Sequence, residues 1–164
     1  MVKYYNTMVV FEEIPNEITL AINITNCPCH CVGCHSKYLW EDVGTELTFD
    51  EIMKLIDKNS GITCICFMGG DANPKEINDL ATYVSAKNMC GYKSLKIGWY
   101  SGKDELSEDI DISLFNYIKL GHYDEKLGGL DKETTNQKMY EVFVNENKEF
   151  DLRDITSKFW KKLK

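Results

Sequence analysis

Residues 17–25, EITLAINIT, alternate strictly: Ile18, Leu20, Ile22 and Ile24 fall on one face, Thr19, Ala21, Asn23 and Thr25 on the other. That period of two predicts a strand, and it runs directly into Cys27. From Thr48 the period lengthens. Phe49, Ile52, Leu55 and Ile56 make one helical stripe behind Thr48 and Glu51 in capping-box spacing, so TFDEIMKLI is predicted to be a helix. Residues 62–68, ITCICFM, are a continuous apolar run, the pattern of a strand covered on both faces, and the run stops at Gly69-Gly70-Asp71. Asn73 as N-cap and Pro74 as first helical residue then open a second helix, with Ile77, Leu80, Ala81 and Val84 on its stripe. SLKIGWY and YIKLG predict two further strands.

Strand, helix, strand, helix, strand is the order of a parallel α/β sheet with right-handed crossovers. After Gly121 the order changes. KMYEVFVNENKEFDLR predicts two strands around a polar turn at 145–148, followed by a short helix carrying Ile155, Phe159 and Trp160. A closed barrel of eight strand–helix units takes about 250 residues. With 164 residues in one domain, the chain is expected to be α/β and to build a partial TIM-like barrel. Mainly parallel strands, helices outside, a C-terminal β-hairpin with a short helix, and one open side are its expected parts.

Composition adds exclusions. At 43% hydrophobic and 27% charged, with no low-complexity tract, the chain has the make-up of a folded domain. A net charge of −7 disfavours a general binder of nucleic-acid backbone. The densest basic run, KFWKK at 158–162, is expected to be the solvated last turn of a helix. The first residues lack the apolar core of a signal segment and no long apolar run follows, so no membrane span and a cytoplasmic location are expected.

Chemistry concentrates in NCPCHCVGCHS, residues 26–36, where Cys27, Cys29, Cys31 and Cys34 stand among His30 and His35. Seven cysteines, an odd number with four crowded together, point to metal or redox chemistry in a reducing compartment rather than to a disulfide framework. Cys31-x-x-Cys34 is half of a structural zinc site, whose remaining ligands would come from Cys27 or Cys29 and a histidine. No second C-x-x-C completes it. Cys64 and Cys66 are expected to face opposite sides of their strand as small buried hydrophobes, and Cys90 to be a bystander. Taken alone, Cys27, Cys31 and Cys34 have the spacing C-x3-C-x2-C on a loop directly after a strand. Three thiolates on a four-iron cubane leave one iron open to a cofactor or substrate. At the carboxyl end of the next strand, Gly69 and Gly70 let a ligand approach the backbone closely, and the two loops are expected to share one rim.

The cysteine spacing resembles that by which radical S-adenosylmethionine enzymes hold their cluster, and MGGD stands where that family is similar in having a GGE-like turn after the second strand. WYSG at 99–102, YIKLG at 117–121, LGGL at 127–130, TTNQKMY at 134–140 and DITSKFWK at 154–161 resemble segments of one group within it. That group is the activating proteins of anaerobic ribonucleoside-triphosphate reductase, which are glycyl-radical activases. The resemblance covers essentially the whole chain, 1–164, as a single radical S-adenosylmethionine domain. It implies that Cys27, Cys31 and Cys34 ligate a 4Fe-4S cluster whose fourth iron is chelated by the methionine amine and carboxylate of S-adenosylmethionine. It implies further that Gly33 and His35 lie against the cofactor, that Gly69, Gly70 and Asp71 bind its methionine part, and that Asp71 accepts from the amine. The implied activity is reductive cleavage of S-adenosylmethionine to a 5′-deoxyadenosyl radical, which takes hydrogen from a glycine of the anaerobic (class III) ribonucleotide reductase. A low-potential donor such as flavodoxin is the implied electron source, and an open flank suits a protein substrate.

The chain departs from that group in places. Many members carry Gly-Pro-Gly-x-Arg before the first cysteine strand, where this chain has EEIPNEIT, and Ala72 stands in place of the proline of GGDP. Cys29 is an addition: either a redox-active thiol or alternative ligand, or a harmless substitution in a loop held by its neighbours. His30 is expected to be exposed, and His122 packed or solvated. Tyr100 and Ser101 stand at a strand end, near the adenosine or in a structural turn at SGKD; Asn136 and Gln137 are expected to contact cofactor or partner. Two other functions stay open: another radical S-adenosylmethionine enzyme, either a different glycyl-radical activase or one like 7-carboxy-7-deazaguanine synthase, and a zinc-stabilised binding module.

Overall fold

In the computed structural model, which describes residues 1–160, eight strands form one mixed sheet. Along the chain come β1 (Lys3–Val10), β2 (Thr19–Ile24), β3 (Thr45–Glu46), α1 (Phe49–Lys58), β4 (Cys64–Met68), α2 (Pro74–Met89), β5 (Lys96–Tyr100), β6 (Tyr117–Leu120), β7 (Lys138–Val144) and β8 (Phe150–Asp154). Across the sheet the order is β3-β1-β2-β4-β5-β6-β7-β8. The four strands β2, β4, β5 and β6 are parallel neighbours, and both flanks run antiparallel. The architecture is α/β with an open sheet: β3 and β8 are its two ends.

Local chemistry starts both helices where the pattern predicts. Thr48 Oγ1 accepts from the Glu51 amide at 3.1 Å at the head of α1. Asn73 Oδ1 accepts from the Glu76 amide at 3.3 Å, with Pro74 as the first residue of α2. Strand register sets Ile22, Phe67, Trp99 and Ile118 in one row, with Leu20, Ile65 and Ile97 in the next. These rows pack on Ile52, Ile56, Ile77, Leu80 and Val84, so both helices cover the same sheet face. Burial of each such side chain contributes about 1.5–3 kcal/mol. Phe49 is less deeply placed than its stripe predicts. It is half exposed and stacks on Tyr83 of α2 with ring centroids 4.6 Å apart.

The opposite sheet face carries a second, smaller core. Cys64, Cys66, Tyr117 and Met139 meet Ile14, Ile155, Leu130 and Phe159 there. Cys64 and Cys66 therefore share one face instead of pointing to opposite ones, because side chains alternate with period two and residues i and i+2 point the same way. Both are buried small hydrophobes, as expected. Thr19 and Ala21 of β2, on the polar side of the alternation, are buried as well. A parallel strand in the middle of a sheet is covered on both faces.

Other elements depart from the pattern for physical reasons. No strand is predicted over β1, whose alternation is broken by a register shift between Tyr4 and Asn6. It forms by pairing with β2, a tertiary contact that local periodicity does not encode. Between β5 and β6 the crossover contains only a 3-10 turn, Ile112–Leu114, so strand–helix repetition stops after two units. The expected C-terminal helix is a 3-10 turn, Thr156–Phe159. Of the basic run KFWKK, Lys161 and Lys162 lie outside the described residues. Among the described residues, no helix is long and apolar enough to cross a membrane.

Candidate functional site at the carboxyl rim

Because β2, β4, β5 and β6 run parallel, the loops that follow them gather at one rim of the sheet. The loop after β2 holds the four clustered thiols. It folds back on its own end: the Cys27 amide donates to Leu39 O at 2.9 Å and the Asn26 amide to Glu41 O at 3.0 Å. Left-handed residues give it a tight path, with φ of +60° at Asn26, +44° at His30 and +75° at Gly33. The Cys34 amide donates to Cys31 O at 3.1 Å, and Cys34 Sγ accepts from the Ser36 amide at 3.3 Å. His30 is exposed, as expected, and stacks on Trp40 at 4.6 Å.

After β4 the chain turns through Gly69 and Gly70, with φ of +110° and +97°. At Gly70 an added Cβ would stand 2.5 Å from Ile77 Cδ1 and Cγ1, so close packing of α2 and the backbone angle both demand glycine. The Gly69 amide donates to Tyr100 O at 2.9 Å, and Gly69 O accepts from Trp99 Nε1 at 2.8 Å. Asp71 is held from the loop after β5. Its Oδ1 accepts from Ser101 Oγ at 2.5 Å and its Oδ2 from the Gly102 amide at 2.8 Å. Cys29 Sγ lies 3.9 Å from the same Oδ2.

Beneath this rim Lys119 of β6 is buried, and its Nζ donates to Ser101 O at 3.2 Å and to Gly121 O at 2.5 Å. Burial pulls its ammonium down to about 8, against the opposing pull of Asp71. Burial and the Asp71 carboxylate push the Cys29 thiol up to about 12, so at neutral pH it is a protonated donor.

The stretch after β6 folds over the cysteine loop. Glu125 covers Gly33, where a Cβ would be 2.6 Å from Oε2, and Tyr123 packs edge-on against His35 with its hydroxyl 3.3 Å from Nε2. Between the two segments lies a cavity of about 500 Å³ lined by Cys29, Cys31, Val32, His122, Tyr123 and Glu125. That volume lies in the range of small-molecule sites. Asn136 Nδ2 donates to His122 O at 2.9 Å and Gln137 Nε2 to Gly121 O at 3.4 Å, which ties the far end of the segment to its start. His122 is exposed and its Nδ1 lies 2.8 Å from Asp104 Oδ1.

The cysteine loop and the Gly69–Gly70–Asp71 turn thus occupy one rim. Tyr100 does not face it: its hydroxyl donates to Glu13 O and its ring packs in the second core. Ser101 instead serves as a partner of Asp71. Cys64 and Cys66 lie in the interior and Cys90 is exposed at the end of α2. Two residues that the sequence pattern does not single out also belong to the rim, Gly102 and Lys119. A lysine inside the apolar run YIKLG is the signal that marks Lys119.

Cys27, Cys31 and Cys34 are half-buried free thiols. Among the described residues no three His, Cys, Asp or Glu side chains converge on one ion. Three thiols on one loop are soft donors of the kind that both zinc and iron–sulfur clusters take. Compared with protein-family models, with curated proteins and with solved structures, the chain matches none.

Proposed function

We propose that this chain is a radical S-adenosylmethionine enzyme that activates an anaerobic ribonucleotide reductase. The observation that carries the proposal is the meeting of the C-x3-C-x2-C loop and the Gly-Gly-Asp turn at one carboxyl rim, in contact through Cys29 and Asp71. On this proposal Cys27, Cys31 and Cys34 hold a 4Fe-4S cluster, and Gly69, Gly70 and Asp71 hold the methionine part of S-adenosylmethionine, with Gly33 and His35 beside it. When bound, the cluster supplies the electron that cleaves the sulfonium to methionine and a 5′-deoxyadenosyl radical, the species that takes hydrogen from a glycine of the reductase.

The chain's own residues place and shield. Positive φ at Gly69 and Gly70 sets the path of the turn, and the missing Cβ at Gly70 lets it pack directly on Ile77 of α2. Ser101 and Gly102 fix Asp71 with its remaining lone pairs free for an amine. Tyr123 and Glu125 wall the cavity on the side opposite the cysteine loop, and Tyr123 reaches His35 across it. Hydrogen transfer from a peptide needs a separation of about 3–3.5 Å, so a loop of the partner must enter the rim. The parallel strands β2, β4, β5 and β6 are read as the remnant of a TIM-like barrel whose missing strands leave that entrance. A low-potential donor such as flavodoxin would supply the electron.

The test is 5′-deoxyadenosine formation by anaerobically reconstituted protein given S-adenosylmethionine and dithionite, with Cys34→Ala as control. Product that depends on Cys34, followed by a glycyl-radical signal on added reductase, is the expected result. Product without transfer to the reductase would move the proposal to another radical S-adenosylmethionine activity. A colourless protein carrying zinc and no sulfide would replace it with the binding module.

A further inference from the structure

Cys29 is the one thiol of the loop that the proposed function leaves without a task. It sits between two proposed ligands, yet its environment differs from theirs. A Cβ added at Gly102 would stand 2.7 Å from Cys29 Sγ and 3.5 Å from Asp71 Oδ2, so the sulfur is seated where only a glycine lets it pass. Asp71 Oδ2 is 3.9 Å from it and also accepts from the Gly102 amide at 2.8 Å. From there the contacts continue inward. Asp71 Oδ1 takes the Ser101 hydroxyl, Ser101 O takes the buried Lys119 ammonium, and that ammonium also holds Gly121 O. Four loops, those after β2, β4, β5 and β6, are joined by this one chain of polar contacts, and Cys29 is the member that brings in the cysteine loop.

We infer that Cys29 is a positioning residue: its thiol latches the cysteine loop to Asp71 and Gly102, and so sets the cluster loop against the Gly-Gly-Asp turn. It is not a cluster ligand. Resting on the proposed function for its consequence, the latch predicts that the distance between cluster and methionine site depends on a residue that touches neither iron nor substrate carbon. A serine at this position keeps a donor on a shorter bond, whereas alanine removes it.

Two measurements test it. The first uses the full chain without cluster, so it does not depend on the proposed activity: alkylation by N-ethylmaleimide, mapped by mass spectrometry. Cys29 is expected to react more slowly than Cys31 and Cys34, and Gly102→Ala, which puts a methyl on its sulfur, to speed Cys29 alone. Equal rates at all three thiols in the unsubstituted protein would overturn the latch. The second uses the reconstituted protein. Cys29→Ala is expected to keep the iron and sulfide content of the parent while weakening S-adenosylmethionine binding about three- to tenfold, the worth of one modest hydrogen bond. Cys29→Ser, a stronger donor of shorter reach, is expected to restore binding in part. Loss of iron in Cys29→Ala would make Cys29 a ligand, and unchanged binding would make it a bystander; either result overturns the inference. Should the parent chain take up no cluster at all, the proposed function fails while the alkylation rates still judge the latch.

Discussion

Ser101 Oγ lies 2.5 Å from Asp71 Oδ1, so the loop after β5 grips the acid of the Gly-Gly-Asp turn from the side. Ser101 is 1% exposed, so its hydroxyl is shut off from bulk water. The same oxygen accepts from the Lys103 amide at 3.0 Å. Ser101→Ala therefore strands two groups at once. It is expected to lower the unfolding free energy of the cluster-free protein by about 1–3 kcal/mol in a urea titration. In the reconstituted protein the dissociation constant for S-adenosylmethionine is expected to rise about fivefold by calorimetry. An unchanged constant would remove the orientation of Asp71 from the account of binding.

Gly70→Ala places a methyl 2.5 Å from Ile77 and forces φ of +97° on a residue with a Cβ. Strain of this kind costs about 1–3 kcal/mol, and the clash adds to it unless α2 moves. The double variant Gly70→Ala/Ile77→Ala, which removes both clashing atoms, Cγ1 and Cδ1, is expected to be more stable than the sum of the two single changes predicts. Additive losses in a double-mutant cycle would show that backbone strain alone makes the glycine necessary.

Trp99 is 1% exposed and its Nε1 holds Gly69 O at 2.8 Å, so the turn that precedes Asp71 leans on an indole from the next strand. Trp99→Phe removes that donor and part of the ring volume, at an expected cost of about 1–3 kcal/mol. Hydrogen exchange at the amides of residues 70–72 is expected to quicken more than exchange in α1. A uniform change across the chain would mark a loss of general packing only.

The parts of this molecule that could be read from sequence are those governed by local periodicity and capping. Thr48 and Asn73 mark their helices because a cap is a contact between residues three apart. The apolar run at 62–68 shows a covered strand because both faces are apolar. What stayed hidden depends on contacts distant in sequence. β1 is a strand only because β2 pairs with it, and the Thr19 side of β2 is buried only because Ile14 and the chain near Leu130 fold beneath the sheet. The shared face of Cys64 and Cys66 was legible in principle from the period of two alone. At the rim, the cysteine spacing and the Gly-Gly-Asp turn announce themselves, but the grip of Ser101 and Gly102 on Asp71 spans 30 residues or more of chain and leaves no local mark.

Lys119 gives the last prediction, in the dependence of stability on pH. Its ammonium is buried and titrates near 8 in the folded protein, against an ordinary value near 10.5. Below pH 8 both folded and unfolded chains carry the proton, and the folded state bears the full cost of a desolvated cation. Between about 8 and 10.5 the unfolded chain keeps its proton while the folded one loses it, so the unfolded state binds more protons and stability from this group rises with pH. The gain across that window is about 1–3 kcal/mol. Tyrosine and cysteine thiols held above their ordinary values act in the opposite sense there, Cys64 at about 12 among them, so the group is isolated by comparison. Urea titrations of the cluster-free parent and of Lys119→Met, run from pH 7 to 10.5, are expected to show stability falling more steeply with pH in the variant. Parallel curves would mean that Lys119 keeps its proton throughout, through the carbonyls of Ser101 and Gly121 and the carboxylate of Asp71. The cation beneath the rim would then be permanent rather than titratable, and Asp71 would face a fixed positive charge at every working pH.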